Sequence, residues 1–375
     1  MNTGFELEKM TSALRQAGMD AAVITSVPNL RYSTGIVLQA HLILPLRLMA
    51  LVVPADGDPV LIACETMETL TSQAPDWLKD IRCYREFDKN AIQAVQEVLA
   101  EKKLLGSRIG IEKDYLVTRF WEQLRHDCPR ATYLDVGPVM HELRMIKSPH
   151  EIDELRRAFV NTVEAVQETF ESAEIGDTEA QVADRIHRGL VARGAKQVLF
   201  NIVVIEERTP WAHPPPGERA LQPGELLRID VGASFGLYCS DVGRTAAAVR
   251  WQPELQQAFE AVNQIRTEVI ADLRPGMRIG DIYSQTMGAY PKFGLPAPPI
   301  HTLLIGHSLG IEVHEPPIIE PSTETTLTSG MVLNIEPHVL TNGWCMVHED
   351  SYLVTEDGVE LLAPLTTDTP LVICA

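Results

Sequence analysis

The segment LLRIDVGASFGLYCSDVGRT predicts a β-hairpin whose two strands both carry an acidic residue. We expect the chain to reverse near Phe235-Gly236, which would place Asp230 directly opposite Asp241. The apolar residues around Asp230 indicate an interior strand. Like charges that face each other destabilise a sheet, so this arrangement requires something that neutralises them.

A second segment, MVLNIEPHVLTNGWCMVHEDSYLV, repeats this pattern. Its Asn342-Gly343 dipeptide is a strong hairpin signal and would place Glu336 opposite Glu349. One such pair alone would most simply be solvated acid on a surface strand. Two pairs in apolar strands favour bound cations, and two divalent metal ions would cancel the charge of the four carboxylates.

Length and composition indicate a soluble protein of two domains. The chain has 375 residues, too many for one ordinary core. Its 51 acidic residues against 32 Lys and Arg give a net charge of −19, which argues against nucleic-acid and anionic-membrane partners and favours a small ligand. The sequence shows neither a secretory signal nor a run long enough to span a bilayer, so we expect a cytoplasmic protein with reduced cysteines.

Residues 1–145 are predicted to form an α/β domain, because short β-rich runs alternate with helical patterns. The expected strands are 21–25, 48–54, 59–63 and 109–112, and the expected helices are 90–103 and 115–126. A boundary is predicted near Lys147, where Ser148 can cap a long helix that Pro149 opens. Residues 146–375 are predicted to form an α+β domain with further helices at 178–193, 253–273 and 279–289 and a strand at 199–205.

Two histidines are candidate metal ligands. His307 and His314 lie seven residues apart in GHSLGIEVHEPP, beside glycines that allow a close approach of the backbone. A lone histidine is more often structural. Next to paired acids, however, a neutral imidazole suits zinc, manganese or cobalt.

The chain resembles a known family in the order and local context of five residues. These are Asp230 and Asp241 in IDVGASFGLYCSDVGRT, His307 in GHSLGIEVHEPP, Glu336 in NIEPH and Glu349 in HEDSYLVTEDG. The set resembles the pita-bread metallopeptidase family, which includes methionine aminopeptidase, aminopeptidase P, prolidase and creatinase. The resemblance implies an α+β pita-bread catalytic domain.

The N-terminal half, from VPNLRYSTG to MIKSPHEIDELRRAF, is similar to the creatinase/prolidase-type N-terminal α/β domain. The resemblance therefore covers nearly the whole chain. It favours the prolidase and aminopeptidase P branch over methionine aminopeptidase, which lacks this domain. It also implies a homodimer in which the N-terminal domain helps to wall the active site of the partner.

The resemblance implies a hydrolase with two divalent metal ions, which could be manganese, cobalt, zinc or iron. Asp230 would bind one ion, Asp241 and Glu349 would bridge both, and His307 and Glu336 would complete the shell. Glu336 would also be the general base for a water that the metals activate and that attacks an amide carbonyl.

Two further histidines have implied roles. His314 would stabilise the tetrahedral intermediate, and His213 would orient the substrate carbonyl or the leaving nitrogen. Both roles come from the family resemblance.

Three residues depart from the family pattern. Val347 stands where these peptidases usually carry an arginine, Leu303 where many have a histidine, and Glu206 where a glycine is common. Arg208 is a candidate for binding a substrate carboxylate, because a guanidinium suits that group. The alternative is a salt bridge of Arg208 with Glu206 or Glu207.

The leading hypothesis is a metal-dependent Xaa-Pro peptidase, either a prolidase or an Xaa-Pro aminopeptidase. An alternative is a creatinase-like C–N hydrolase or lyase that acts on a small metabolite in the same fold. A metal-free mechanism is disfavoured because all the ligand acids are present. A non-catalytic binding module would be expected to lose Glu336, His213 or His314, and all three are present.

Overall fold

The computed structural model describes residues 3–36, 47–67, 73–85, 90–298, 305–341, 343–364 and 370–374. The chain divides into two compact units, Met1–Arg144 and Met145–Ala375. Among the described helices, none has the length and apolar character needed to cross a membrane.

The N-terminal unit contains a six-stranded sheet. Its strands are β1 (Ala21–Ile24), β2 (Ala50–Pro54), β3 (Val60–Cys64), β4 (Asp80–Tyr84), β5 (Arg108–Ile111) and β6 (Thr132–Asp135), in the order β4-β3-β2-β1-β5-β6. Strand β2 is antiparallel to β1 and β3, and the other pairs are parallel.

The helices of this unit are α1 (Leu7–Gln16), α2 (Val27–Thr34), α3 (Ala91–Glu101), α4 (Thr118–Asp127) and α5 (Gly137–Met145), the last of which ends at the junction. Buried residues of α3 and α4 pack against β1, β2, β3 and β5. The predicted α/β class is confirmed.

The C-terminal unit begins with a helix that its sequence caps. Helix α6 (Pro149–Ser172) has Ser148 as its N-cap, whose hydroxyl accepts a hydrogen bond from the Glu151 N–H while the Glu151 carboxylate accepts one from Ser148. The predicted cap of α6 is therefore confirmed. The other helices of this unit are α7 (Glu179–Ala192), α8 (Pro253–Asp272) and α9 (Ile279–Ala289).

The strands of this unit form three sheets. The first contains β7 (Gln197–Ile205), β8 (Leu226–Phe235), β9 (Tyr238–Ala248) and β17 (Leu371–Ile373). The second contains β10 (Gly306–Ser308), β11 (Glu315–Ile318), β12 (Val332–Ile335), β15 (Asp350–Val354) and β16 (Val359–Leu361). The third is the pair β13 (His338–Leu340) and β14 (Cys345–Val347).

The hairpin β8–β9 turns one residue later than predicted. Phe235 pairs with Tyr238, so the turn is Gly236-Leu237, and Gly236 has the positive φ of 65° that glycine adopts readily. Asp230 therefore pairs with Gly243, and Asp241 pairs with Gly232. The prediction that Asp230 faces Asp241 is wrong, although both acids remain on one face because the shift is two positions.

The second acidic hairpin has the predicted register. Ile335 pairs with Asp350 and His338 pairs with Val347, and Glu336 and Glu349 lie between these pairs. The predicted turn residue Asn342 lies outside the described residues, as does Leu303.

Candidate metal centre

The acids of the two hairpins converge with histidines from β10 and the segment that follows it. Three groups each place one ligand atom per residue within 4.8 Å of the others. The groups are Asp230 with Asp241 and Glu349, His307 with Glu336 and Glu349, and Asp241 with His307 and His314. All five residues predicted as metal ligands therefore lie together.

His307 is oriented to bind a cation. Its Nε2 atom lies 3.5 Å from Asp241 Oδ2 and 3.7 Å from Glu336 Oε1. Its Nδ1 atom lies 2.9 Å from the carbonyl oxygen of Ser308, which can only accept, so Nδ1 carries the proton and Nε2 is free to bind a metal. Burial lowers the pKa of His307 to about 4, which keeps the ring neutral.

In the absence of a cation, the ionised forms of the four carboxyl groups are disfavoured. Burial raises the pKa of Asp230, Asp241, Glu336 and Glu349, and repulsion from neighbouring carboxylates raises the pKa of the last three further. The Oδ1 atom of Asp241 is buried without a hydrogen-bond partner among the described residues. This set of oxygen donors with one imidazole fits divalent metal ions.

Two hydrogen bonds position Glu349. Its Oε1 atom accepts a 2.5 Å hydrogen bond from Nδ2 of Asn334, and its backbone N–H donates to the carbonyl of Gly243 at 3.0 Å. A Cβ atom at Gly243 would lie 2.4 Å from Oε2 of Glu349. The glycine therefore makes room for the carboxylate.

The acids line a cavity of about 630 Å³ that also contains both candidate catalytic histidines. The ring of His314 is exposed and lies 4.1 Å from that of His307, measured between ring centroids. His213 lies in the proline-rich loop before β8 and is close enough to Asp230 to lower the pKa of that carboxyl. The structure thus brings His213, His314 and Glu336 to one cavity.

Two protein-family models together match most of the chain. Residues 153–356 match the model of metallopeptidase family M24, and residues 6–146 match that of the creatinase/prolidase N-terminal domain. The chain belongs to metallopeptidase family M24. An uncharacterized peptidase of Staphylococcus haemolyticus is 30% identical over 359 residues, which cover 95% of this chain and 98% of the relative.

Solved structures of M24 peptidases share the fold. Dipeptidase PepE from Mycobacterium ulcerans is 26% identical with a TM-score of 0.87, covering 98% of this chain and 97% of that one. A prolidase from Thermococcus sibiricus is 24% identical with a TM-score of 0.88 and 99% coverage of both chains, a likeness that shows the fold alone. The predicted pita-bread fold and metallopeptidase activity are confirmed, and the creatinase-like alternative is not favoured.

Arg208 is not brought to the cavity of this M24 peptidase in the part of the chain that the structure describes. Its Nε atom lies 3.3 Å from Oε1 of Glu179, its Nη2 donates to the carbonyl of Pro215, and its guanidinium lies over the ring of Trp211. Recognition of substrate by Arg208 stays a prediction. Glu206, one of the three residues that depart from the family pattern, accepts a hydrogen bond from the backbone N–H of Leu226.

Sequence reasoning missed three polar residues that line the M24 cavity, Asn201, Arg228 and His338. Arg228 precedes Asp230 by two positions on β8, and His338 follows Glu336 by two. Side chains two apart on a strand share a face. This spacing was the available signal for Arg228, which was also the one basic residue in the run LLRID.

A buried ion network lies beside Glu349. Asp350 accepts hydrogen bonds from Arg244 at 2.5 Å and from Arg266 at 3.3 Å, and Nε2 of His348 lies 3.2 Å from it. Although burial acts to raise it, the pKa of Asp350 is held well below its usual value by these partners. The network ties β9 and α8 to the strand that follows Glu349.

Proposed function

We propose that the chain is a metal-dependent dipeptidase that hydrolyses Xaa-Pro dipeptides. The observation that carries this proposal is the convergence of four carboxylates, two buried and two half-buried, with a neutral histidine on one cavity. The similarity to dipeptidase PepE, and the fold shared with the Thermococcus prolidase, support this substrate class. The cavity is of the size that suits a small ligand.

Two divalent ions fit the ligand set, and manganese is our first choice among the metals that carboxylates and histidine accept. Asp230, Asp241, His307, Glu336 and Glu349 would hold these ions. Ions bound there would supply a Lewis acid for the amide carbonyl and would lower the pKa of water.

The residues of the chain then perform the proton transfers. Glu336 would take a proton from the attacking water and deliver it to the leaving nitrogen as the C–N bond breaks. In the metal-free chain, burial and the neighbouring acids raise the pKa of Glu336 well above its usual value. His314 would donate a hydrogen bond to the developing oxyanion, and His213 would orient the substrate from the loop.

The test is an assay of metal-depleted protein with manganese, cobalt or zinc added separately. The substrates are Xaa-Pro dipeptides, Xaa-Ala dipeptides and Xaa-Pro-Xaa tripeptides. We expect manganese-dependent release of proline from the first group. Release from tripeptides alone would indicate an aminopeptidase, and no release from any peptide with metal bound would contradict the proposal.

A matched pair of variants identifies the base. Glu336→Gln keeps the shape but removes the proton acceptor, so we expect kcat to fall by about 10²–10⁴-fold while the protein stays folded. Glu356→Gln changes an exposed acid of the same unit and should leave kcat unchanged. A homodimer and a cytoplasmic location stay predictions, which gel filtration and fractionation of cells would check.

A further inference from the structure

Arg228 is a buried cation in the wall of the cavity. It is 5% exposed, and among the described lining residues it is the only lysine or arginine. Its Nη2 atom donates to the backbone carbonyls of Trp211 at 2.6 Å and Ala212 at 3.4 Å. Its Nε atom is buried without a hydrogen-bond partner among the described residues. The donor capacity of the guanidinium is therefore only partly used.

The charge of Arg228 also lacks a dedicated counter-charge. Within the described ranges, no carboxylate forms an ion pair with Arg228, whereas Arg244 on the neighbouring strand pairs with Asp350 at 2.5 Å. Asp230 is attracted to Arg228, but it is also a candidate metal ligand. Once cations share the charge of Asp230, a further anion in the cavity would stabilise the buried guanidinium.

The position of Arg228 fits one end of a short substrate, on the condition that the proposed function holds. In a dipeptide, the carbon of the terminal carboxylate lies at most about 4 Å from the carbonyl carbon of the scissile bond. Arg228 and Asp230 share a face of β8, with backbones about 7 Å apart along the strand. A long arginine side chain can therefore reach the carboxylate of a substrate whose amide lies at the metal centre.

Two neighbours of Arg228 on β14, Val347 and Cys345, line the same cavity and carry no positive charge. Burial raises the pKa of the Cys345 thiol, although its contact with Arg228 acts in the opposite direction. Across the hairpin, Arg228 pairs with Thr245, whose hydroxyl hydrogen-bonds to the backbone of Val347. This bond ties β9 to β14, so Arg228 and Val347 lie on connected parts of the wall.

We propose that Arg228 binds the C-terminal carboxylate of a dipeptide substrate and ends the pocket on the leaving-group side. Its guanidinium fork can form two hydrogen bonds to a carboxylate, an arrangement that a lysine cannot reproduce. A tripeptide would present a neutral amide at this position and leave the buried cation unpaired. Selectivity for dipeptides over longer peptides follows from this one contact.

The test couples a change in the enzyme to a change in the substrate. We would measure kcat/KM of the manganese-loaded wild type and of Arg228→Met with Ala-Pro and with its C-terminal amide. The wild type should prefer the acid by on the order of 10- to 100-fold, the usual contribution of a charge-assisted hydrogen bond. In Arg228→Met the acid should lose this factor while the amide changes by less than about threefold. Arg250→Met, at an exposed position, is the matched control.

A structural role predicts a different result. If Arg228 served only to hold the loop carbonyls of Trp211 and Ala212, acid and amide would lose activity equally, and the proposal would be overturned. If Arg228→Met does not fold, the wild-type protein alone still tests the proposal. Equal kcat/KM of the wild type for the acid and the amide would also overturn it. Arg228→Lys, which keeps the charge without the fork, should retain part of the preference.

Failure of the proposed function gives a separate signal. If the metal-loaded wild type cleaves neither compound, the dipeptidase activity is wrong, and calorimetry with the uncleaved Ala-Pro and its amide then tests Arg228 directly. Binding of the acid at least about tenfold tighter than the amide, lost in Arg228→Met, would support the carboxylate contact. Equal binding of both would overturn it.

Discussion

Asp230 pairs across the β8–β9 hairpin with Gly243, and the carboxylate of Glu349 occupies the space that a side chain at Gly243 would need. A Cβ atom at this position would lie 2.4 Å from Oε2 of Glu349 and 3.0 Å from Cγ1 of Val347. The glycine thus lets acids from separate hairpins converge on one candidate metal site. Tight packing at this point is a condition for the metal centre.

Gly243→Ala should therefore damage the metal centre more than the fold. The added methyl group would push Glu349 away, and a displacement of about 1 Å in a reacting group can cost about 100-fold in rate. We expect kcat/KM to fall by about that factor and the metal content per chain to decrease, measured by elemental analysis of the purified protein.

Gly288→Ala is the matched control for this substitution. Gly288 lies in α9, where an added Cβ atom meets nothing within 4 Å. The Gly288→Ala substitution should leave metal content and kcat/KM unchanged. It should raise the free energy of unfolding by about 0.5–1 kcal/mol, because alanine is more favourable than glycine within a helix. Full activity and metal content in Gly243→Ala would contradict the role assigned to Gly243.

The convergence of the acidic side chains could be predicted from the sequence even though one strand pairing was wrong. Placing the turn at Phe235-Gly236 rather than Gly236-Leu237 shifts the pairing by two positions. Because side chains alternate with a period of two, this error keeps Asp230 and Asp241 on the same face. The sequence therefore assigned both acids to the correct face of the sheet, although it did not identify the residues with which they pair across the hairpin.

Other features depended on contacts that local sequence patterns do not carry. Strands β4 and β6 were not predicted, because they are short edge strands that are largely only part-buried and lack a clear apolar run. The partner of Arg208 is Glu179, far away in the sequence, while the neighbouring acids that were considered bind elsewhere. Pairings of this kind are decided by the tertiary fold.

His314→Ala should slow hydrolysis without removing the metal. His314 lies beside His307 but is exposed to the cavity, which suits contact with substrate. We expect kcat to fall by about 10²–10⁴-fold, as for loss of a proton-transfer or charge-stabilising group, with metal content retained. His187→Ala, at an exposed position in α7, is the control. Loss of one ion in His314→Ala would instead identify His314 as a ligand, which its ligand atom near Asp241 allows.

The stability gained from metal should increase with pH. Burial and mutual repulsion raise the pKa of Asp241, Glu336 and Glu349 in the folded, metal-free chain. The folded, metal-free protein is most stable when these carboxyl groups are protonated. It therefore loses stability as pH rises above about 4, the usual pKa of a carboxyl group in the unfolded chain. Bound cations remove this cost, because they favour the ionised carboxylates.

Thermal unfolding with chelator and with manganese measures this effect. The increase in melting temperature caused by manganese should be larger at about pH 7.5 than at about pH 5, and saturation at 100 times Kd corresponds to about 2.7 kcal/mol. Because the same protein is measured with and without metal at each pH, titratable groups that do not contact the ions contribute equally to both measurements and cancel from the difference. An equal increase at both values would show that these carboxyls do not hold the metal.

Asp350→Asn should destabilise the catalytic unit while sparing the ligand set. Asp350 is an anion that Arg244 and Arg266 share in the interior, so its neutralisation removes a counter-charge from two buried guanidinium groups. Breaking a buried ion pair in this way costs about 3–5 kcal/mol. Urea unfolding should show this decrease, and Asp357→Asn, at an exposed position, should show almost none. Since buried charges are poorly screened, the loss should persist at high salt, and a loss that vanished in salt would place the network at the surface.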